Sequence, residues 1–211
     1  MWDVLGRSAT LARTRRDNNN KKEVGAMCAV VSDQLAPIII DVEASGFGRG
    51  SYPIEVGFVM PDGETQCTLI KPEQSWTHWD ESSEALHGIS REILAKHGKP
   101  IEEVARWLNE HLRGLTVYSD AWGNDLSWLG ALFEYAEVPQ LFHLDALNKL
   151  LSENQMNTWS DARNQVLSDL GIKRHRASND AKVIQRTYLA TLSVSAPASD
   201  NMWGMDKLIS K

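Results

Sequence analysis

The chain has 211 residues, of which 42% are hydrophobic and 24% are charged, and its net charge is −6 at pH 7. This composition excludes disordered, collagen-like and coiled-coil proteins, and the length allows one sizeable core without disulfide bonds or a structural metal. The two cysteines, Cys28 and Cys67, lie far apart, so both are expected to be reduced thiols. We find neither an apolar run long enough for a membrane helix nor a secretory segment, which predicts a cytoplasmic protein without membrane contact.

The two ends of the chain differ in composition from its centre. Six basic side chains fall within the first 22 residues, and Ser, Ala and Pro are frequent from Ser193 onward. We predict a disordered extension over 1–35, one folded domain over 36–192 and a flexible tail over 193–211. A targeting segment and a nucleic-acid-binding arm are alternatives for the basic leader, and Met27 is an alternative start.

Strand-like and helix-like segments alternate between these ends. The apolar run 37–42 predicts a buried central strand, and the Asp62-Gly63 step predicts a hairpin between strands at 54–60 and 65–71. Further strands are predicted at 116–118 and 142–144, and helices at 101–112, 125–135, 161–170 and 179–192. A hairpin followed by alternating strands and helices predicts an α/β fold, with a central mixed sheet flanked by helices.

Two carboxylates stand at the end of the first predicted strand. Asp41 and Glu43 are two positions apart, and because side chains alternate along a strand, both should lie on one face. Carboxylates at the mouth of a buried strand are unfavourable unless a cation neutralises them. The pattern therefore indicates a site for a divalent cation, although such a pair alone is also typical of solvated acids.

A second polar cluster precedes the last predicted helix. Ser178 or Asn179 is suited to cap that helix, which would place Asp180 in the first turn and His175 in the preceding loop. Both side chains could then reach one point in space. Taken alone, a surface histidine beside an ordinary N-terminal aspartate is an equally good interpretation.

Together these segments resemble the motifs of the DEDDh family of 3′-to-5′ exonucleases, in the family's order. Asp41 to Phe47 resembles the first motif, followed by the strand motif at Ile54 to Gly57. The family's HGI-[ST] segment is matched by Leu86 to Ser90. Asp125 to Leu129 resembles D-x-x-[FW]-L, and His175 to Asp180 supplies H-x4-D. The resemblance spans about residues 37–192 and implies an RNase H-like three-layer fold.

The second motif departs from the family pattern, which usually has an aromatic residue immediately before the aspartate. Asn124 stands there, and Asp120 is a rival ligand. We favour Asp125, because Leu126 and Leu129 give it a helix with an apolar face that Asn124 can cap, whereas Gly123 should interrupt a helix begun at Asp120.

The resemblance also implies a reaction and its residues. The expected activity is hydrolysis of single-stranded or short nucleic acid from a free 3′ end, with RNA favoured over DNA, and a homodimer is one assembly that the family allows. A DNA proofreading or repair exonuclease and an inactive binding module are the alternatives. Two Mg²⁺ or Mn²⁺ ions would be held by Asp41, Glu43, Asp125 and Asp180, with His175 as the general base. The expected substrate-binding residues are Ala44, Ser45, Phe47, His87 and Arg176.

Two further groups of side chains are candidates for substrate contact. Trp76 and Trp79 lie in a polar stretch and could form a stacking surface for bases. The densest basic cluster outside the leader surrounds the third motif and could attract phosphates; it consists of Lys173, Arg174, Arg176, Lys182 and Arg186.

Overall fold

The computed structural model describes residues 36–194 of the chain. The predictions for the basic leader, for Cys28 and Met27, and for residues 195–211 lie outside this range. Within it, no helix combines the length and apolar character that crossing a bilayer requires.

One five-stranded mixed sheet forms the centre of the fold. The strands, in chain order, are β1 (Ile39–Ala44), β2 (Pro53–Val59), β3 (Thr65–Leu69), β4 (Thr116–Ser119) and β5 (His143–Ala146). Their order in the sheet is β3-β2-β1-β4-β5, so β1 is central, as the sequence predicts. The pairs β1/β2 and β2/β3 are antiparallel, and β1/β4 and β4/β5 are parallel. The predicted hairpin connects β2 and β3.

Six helices accompany this sheet in the described part of the chain. They are α1 (Glu81–His87), α2 (Arg91–His97), α3 (Ile101–Leu112), α4 (Trp122–Tyr135), α5 (Glu153–Leu170) and α6 (Ala177–Val194), with a short 3₁₀ helix at Leu147–Leu150.

The hydrophobic core has two parts, one on each face of the sheet. The larger part packs apolar side chains of α3 and α4 against Ile40, Val42 and Ala44 of β1. The smaller part packs Ala181 and Ile184 of α6 against Ile39 and Val59. Helices therefore cover both faces, which is the three-layer α/β arrangement expected from the sequence.

The structure differs from the sequence prediction in two helices that were not predicted, α1 and α2, and in the residues at which other helices begin. α4 begins at Trp122 and runs through Gly123, so Gly123 does not interrupt it, and Asn124 lies inside the first turn rather than at the cap. α5 begins at Glu153, well before the predicted 161, because Ser152 and Gln155 form a capping box in a polar segment without apolar periodicity.

Candidate active site

Alternation along β1 brings its two carboxylates to one face. Ile40, Val42 and Ala44 point into the larger core, so Asp41 and Glu43 lie on the opposite face, the face that α6 covers. Asp180 of α6 meets them there: one carboxylate oxygen from each of Asp41, Glu43 and Asp180 lies within 4.8 Å of the other two. Acidic side chains from two distant segments of the chain thus lie close together.

The start of α6 fixes Asp180 and His175 relative to each other. The backbone N–H of His175 donates a hydrogen bond of 2.6 Å to Oδ2 of Asp180, and His175 has a left-handed backbone with φ of 60°. The other oxygen, Oδ1, is buried and has no hydrogen-bond partner among the described residues. Arg174 Nε lies 3.9 Å from it, beyond hydrogen-bonding distance.

Both rivals for the second motif, Asp120 and Asp125, line one cavity together with the three clustered acids. Asp125 lies in the first turn of α4, is 1% exposed and accepts a hydrogen bond from the Ser119 hydroxyl. Asp120 follows β4 and lies 3.9 Å from a guanidinium nitrogen of Arg163. Repulsion from Asp125 raises the pKa of Asp41 more than repulsion from Asp120 does. The choice of Asp125 as the second-motif ligand stays a prediction.

The acids of this site are held in conditions that disfavour their charge. Burial raises the pKa of Asp41 well above its usual range, and repulsion from Asp125, Glu43 and Asp180 raises it further. Burial, with repulsion from Asp180, raises the pKa of Glu43 to about 7. Burial likewise raises the pKa of Asp125 to about 7, although the Ser119 hydrogen bond opposes this shift. A bound cation would reverse these shifts.

The donor set fits a divalent cation of the hard, oxygen-preferring class. Asp41, Glu43 and Asp180 offer carboxylate oxygens only, and the unpartnered Oδ1 of Asp180 is available for a ligand. Mg²⁺ and Mn²⁺ both prefer such ligands. The structure therefore provides a place where a divalent ion fits, while its identity and the number of ions stay predictions.

A cavity of about 350 Å³ opens at this cluster. Three of the predicted substrate-binding residues line it: Ala44, Phe47 and His87. The Phe47 side chain is 68% exposed, and its ring centroid lies 5.9 Å from that of Trp128. His87 is buried; its Nδ1 accepts a hydrogen bond from the Ile89 N–H, and its Nε2 has no partner among the described residues.

The other two predicted substrate-binding residues are not brought to the cavity. Ser45 is buried, its backbone N–H donates to Tyr52, and its carbonyl accepts from Asp80, so its backbone has no free donor for a substrate. Arg176 makes an ion pair with Glu55, at 2.5 Å between Nη2 and Oε1. Its guanidinium therefore neutralises a buried carboxylate, and Arg176 is not among the residues that line the cavity.

Sequence reasoning missed the role of Glu55. This residue is 1% exposed and accepts hydrogen bonds from Arg176 and, at 2.9 Å, from the backbone N–H of Ala177. It thereby caps α6, which begins at Ala177; Ser178 and Asn179 lie within its first turn, so the prediction that one of them caps it is wrong. The available signal was a glutamate inside the apolar strand Pro53–Val59, which requires a buried partner.

The two candidate tryptophans do not form a stacking surface for bases. Trp76 is buried, and its ring stacks on Tyr52 with centroids 5.1 Å apart. Trp79 is partly buried and donates a 2.7 Å hydrogen bond from Nε1 to Glu84. Trp76 is therefore part of the hydrophobic core, and the hydrogen bond of Trp79 holds its ring against α1.

Comparison with known proteins identifies the family. The RNase_T family, described as "Exonuclease", matches residues 38–188. The chain belongs to this exonuclease family. The match covers the segments that carry all the DEDDh motifs, so the family assignment made from the sequence is confirmed. None of the curated proteins matches the sequence.

Solved structures of Escherichia coli exonuclease I share the fold. The complex with a 5cy-dT13 oligonucleotide superposes with a TM-score of 0.58 at 11% identity, over 75% of this chain and 40% of that one. The complex with a dT13 oligonucleotide gives 0.55 at 13% identity, over 75% and 40%. The dA16 complex gives 0.54 at 13% identity, over 74% and 40%. The predicted RNase H-like fold is thus confirmed, and the chain spans about two fifths of exonuclease I.

Proposed function

We propose that this protein is a divalent-metal-dependent 3′-to-5′ exonuclease that releases nucleoside monophosphates from single-stranded or short nucleic acid. The observation that carries the proposal is the convergence of Asp41, Glu43 and Asp180 within 4.8 Å, in a cavity that His175 and Asp125 also line. Membership of the exonuclease family supports it. Binding alone would not require a histidine beside the acids, which argues against an inactive binding module.

Each of the five motif residues in the cavity has a proposed task. Asp41, Glu43, Asp180 and Asp125 hold the ions, which when bound stabilise the charge that develops on the attacking and leaving oxygens. His175 accepts the proton of the attacking water at a ring nitrogen. Its backbone N–H, bonded to Asp180, fixes the loop that carries the imidazole.

The opening of the cavity fits the 3′ end of a single-stranded nucleic acid. The exposed Phe47 ring offers a stacking surface that accepts any base, and such a contact contributes about 1–3 kcal/mol. The exonuclease I structures that share the fold contain single-stranded DNA oligonucleotides, which makes DNA a necessary test substrate. The preference for RNA stays a prediction from the sequence resemblance.

The test is digestion of matched RNA and DNA oligomers, each with a free or a blocked 3′ hydroxyl, in Mg²⁺, in Mn²⁺ and in EDTA. We expect mononucleotides from free 3′ ends in metal and none in EDTA. Asp41→Asn should lower the rate by about 10³-fold, because it replaces a charged carboxylate ligand of the ion site with a neutral amide. Glu110→Asn, an exposed change on α3, is the control. Metal-independent digestion, or full activity of Asp41→Asn, would contradict the proposal.

A further inference from the structure

Two guanidinium groups line the acidic cavity without being assigned a task by the motifs. Arg163 belongs to α5, a helix outside every motif, and Arg174 directly precedes His175. The sequence-based basic cluster included Arg174 but not Arg163. Of that cluster, only Arg174 lines the cavity, and Arg176 is bonded to Glu55.

Neither arginine forms a hydrogen bond with the acid beside it. Arg163 approaches Asp120 to 3.9 Å, and Arg174 approaches Asp180 to 3.9 Å; both distances exceed that of a hydrogen bond. Nε of Arg163 is also buried and has no hydrogen-bond partner among the described residues. Arg176 differs, since its Nε and Nη2 both bond to Glu55. Arg163 and Arg174 therefore keep donors available for a ligand.

The chemistry of the arginines specifies that ligand. A guanidinium presents planar paired donors that match the oxygens of a phosphate, whereas a divalent ion would be repelled by it. A phosphodiester carries one negative charge, and the monoester released by its hydrolysis carries about 1.5 to 2 at pH 7. Donors beside the acids can therefore hold a phosphoryl group whose negative charge increases during the reaction.

We propose that Arg163, with Arg174 as a second donor, binds the phosphate of the 3′-terminal nucleotide. The inference rests on the proposed function, because that function places the terminal nucleotide in this cavity. It adds a phosphate-binding residue supplied by α5. Arg163 is partly exposed, with 30% of its side-chain surface accessible, so a ligand can reach it from the cavity.

The test measures equilibrium binding and does not depend on catalysis. Thymidine 5′-monophosphate and thymidine are titrated by calorimetry into the wild type, Arg163→Gln, Arg163→Lys and Arg106→Gln, in Mg²⁺ and again in EDTA. Arg106→Gln removes the same charge from an exposed position on α3 and is the matched control. Melting temperatures from circular dichroism establish that each variant is folded.

We expect the wild type to bind the monophosphate more tightly than the nucleoside. Arg163→Gln should lower the affinity for the monophosphate by about tenfold and leave the affinity for thymidine unchanged, because only the phosphate contact is lost. Arg163→Lys should restore part of the loss, and Arg106→Gln should change neither ligand. Equal weakening of both ligands by Arg163→Gln, unchanged monophosphate binding, or no monophosphate binding by the wild type overturns the inference.

The two proposals fail separately. Phosphate-dependent binding that requires Arg163, in a protein that degrades no oligomer, would retain the phosphate site and refute the exonuclease. Digestion by a protein whose monophosphate affinity is unaffected by Arg163→Gln would retain the exonuclease and refute the phosphate role.

Discussion

Two glutamates on neighbouring strands occupy opposite electrostatic situations. Glu43 of β1 and Glu55 of β2 are paired directly across the sheet. Glu55 is 1% exposed and is bonded to Arg176 and to the backbone of α6. Glu43 lies among acids, and although Arg176 lowers its pKa, burial and the charges of Asp180 and Glu55 raise it to about 7.

The difference shows which carboxylates have a structural role and which leave room for a ligand. Arg176 and a helix N-terminus make Glu55 a stable ion pair that anchors the third motif to the sheet. No ion pair is found for Glu43 in the described residues. A half-buried acid without a cationic partner is unfavourable, and a bound cation would explain the position of Glu43 beside Asp41 and Asp180.

The largest effect on stability should come from breaking the ion pair between Glu55 and Arg176. Arg176→Gln leaves Glu55 buried without its cation, so we expect a loss of about 2–4 kcal/mol in the free energy of unfolding, measured by urea denaturation. The expected decrease in melting temperature is about 5–10 °C. Arg174→Gln removes the same charge from a nearby arginine that has no hydrogen-bonded acid, and should change the free energy of unfolding by less than about 0.5 kcal/mol. If both variants lower the free energy of unfolding equally, the ion pair between Glu55 and Arg176 does not have the structural role described here.

A smaller, pH-dependent effect on stability should come from Glu43. The pKa of Glu43 is raised to about 7 in the folded protein, against about 4.3 in an unfolded chain. The folded state therefore binds more protons between these values, and the metal-free protein should lose stability as the pH rises through this window. Glu43→Gln removes this loss and should be more stable than the wild type by about 1–3 kcal/mol at pH 8, but equal to it at pH 4.

The same variant distinguishes repulsion from other effects of the substitution. Thermal melts in EDTA and in saturating Mg²⁺ are compared, with the exposed Glu110→Gln as the control. Mg²⁺ should stabilise the wild type at pH 8 and stabilise Glu43→Gln much less. If Glu43→Gln is destabilised equally at every pH, the glutamate has a structural role like that of Glu55.

The smallest effect should come from Asp120, the rival in the second motif. Its carboxylate already has Arg163 nearby, whereas Asp125 has no ion pair among the described residues. Asp120→Asn should therefore lower the digestion rate by less than about fivefold, and Asp125→Asn by about 10²-fold or more. A reversed order would identify Asp120 as the ligand.

Much of this site follows from local sequence pattern. The alternation of β1 is enough to place Asp41 and Glu43 on one face. The predicted start of the last helix is enough to place Asp180 in its first turn beside the His175 loop, although the residue predicted to cap it was wrong. The central position of β1 follows from its apolar composition. These features depend on residues close together in the chain.

The features that could not be predicted depend on residues far apart in the chain. Glu55 and Arg176 are separated by 121 positions, so no spacing indicates their contact. Arg176 was assigned to the substrate as a member of the basic cluster around the third motif. Arg163 lies on a polar helix whose early turns lack apolar periodicity, and only the packing of α5 brings it to the cavity. Ser45 was assigned by motif position, without knowledge that Tyr52 and Asp80 occupy its backbone.

The central claim is that Asp41, Glu43 and Asp180 hold divalent ions, and anomalous diffraction from crystals grown in Mn²⁺ tests it most directly. We predict an anomalous peak bonded by carboxylate oxygens of all three residues, and no such peak in Asp41→Asn crystals. Diffraction data with no peak at these oxygens under saturating Mn²⁺, or with peaks only elsewhere on the molecule, would contradict the account.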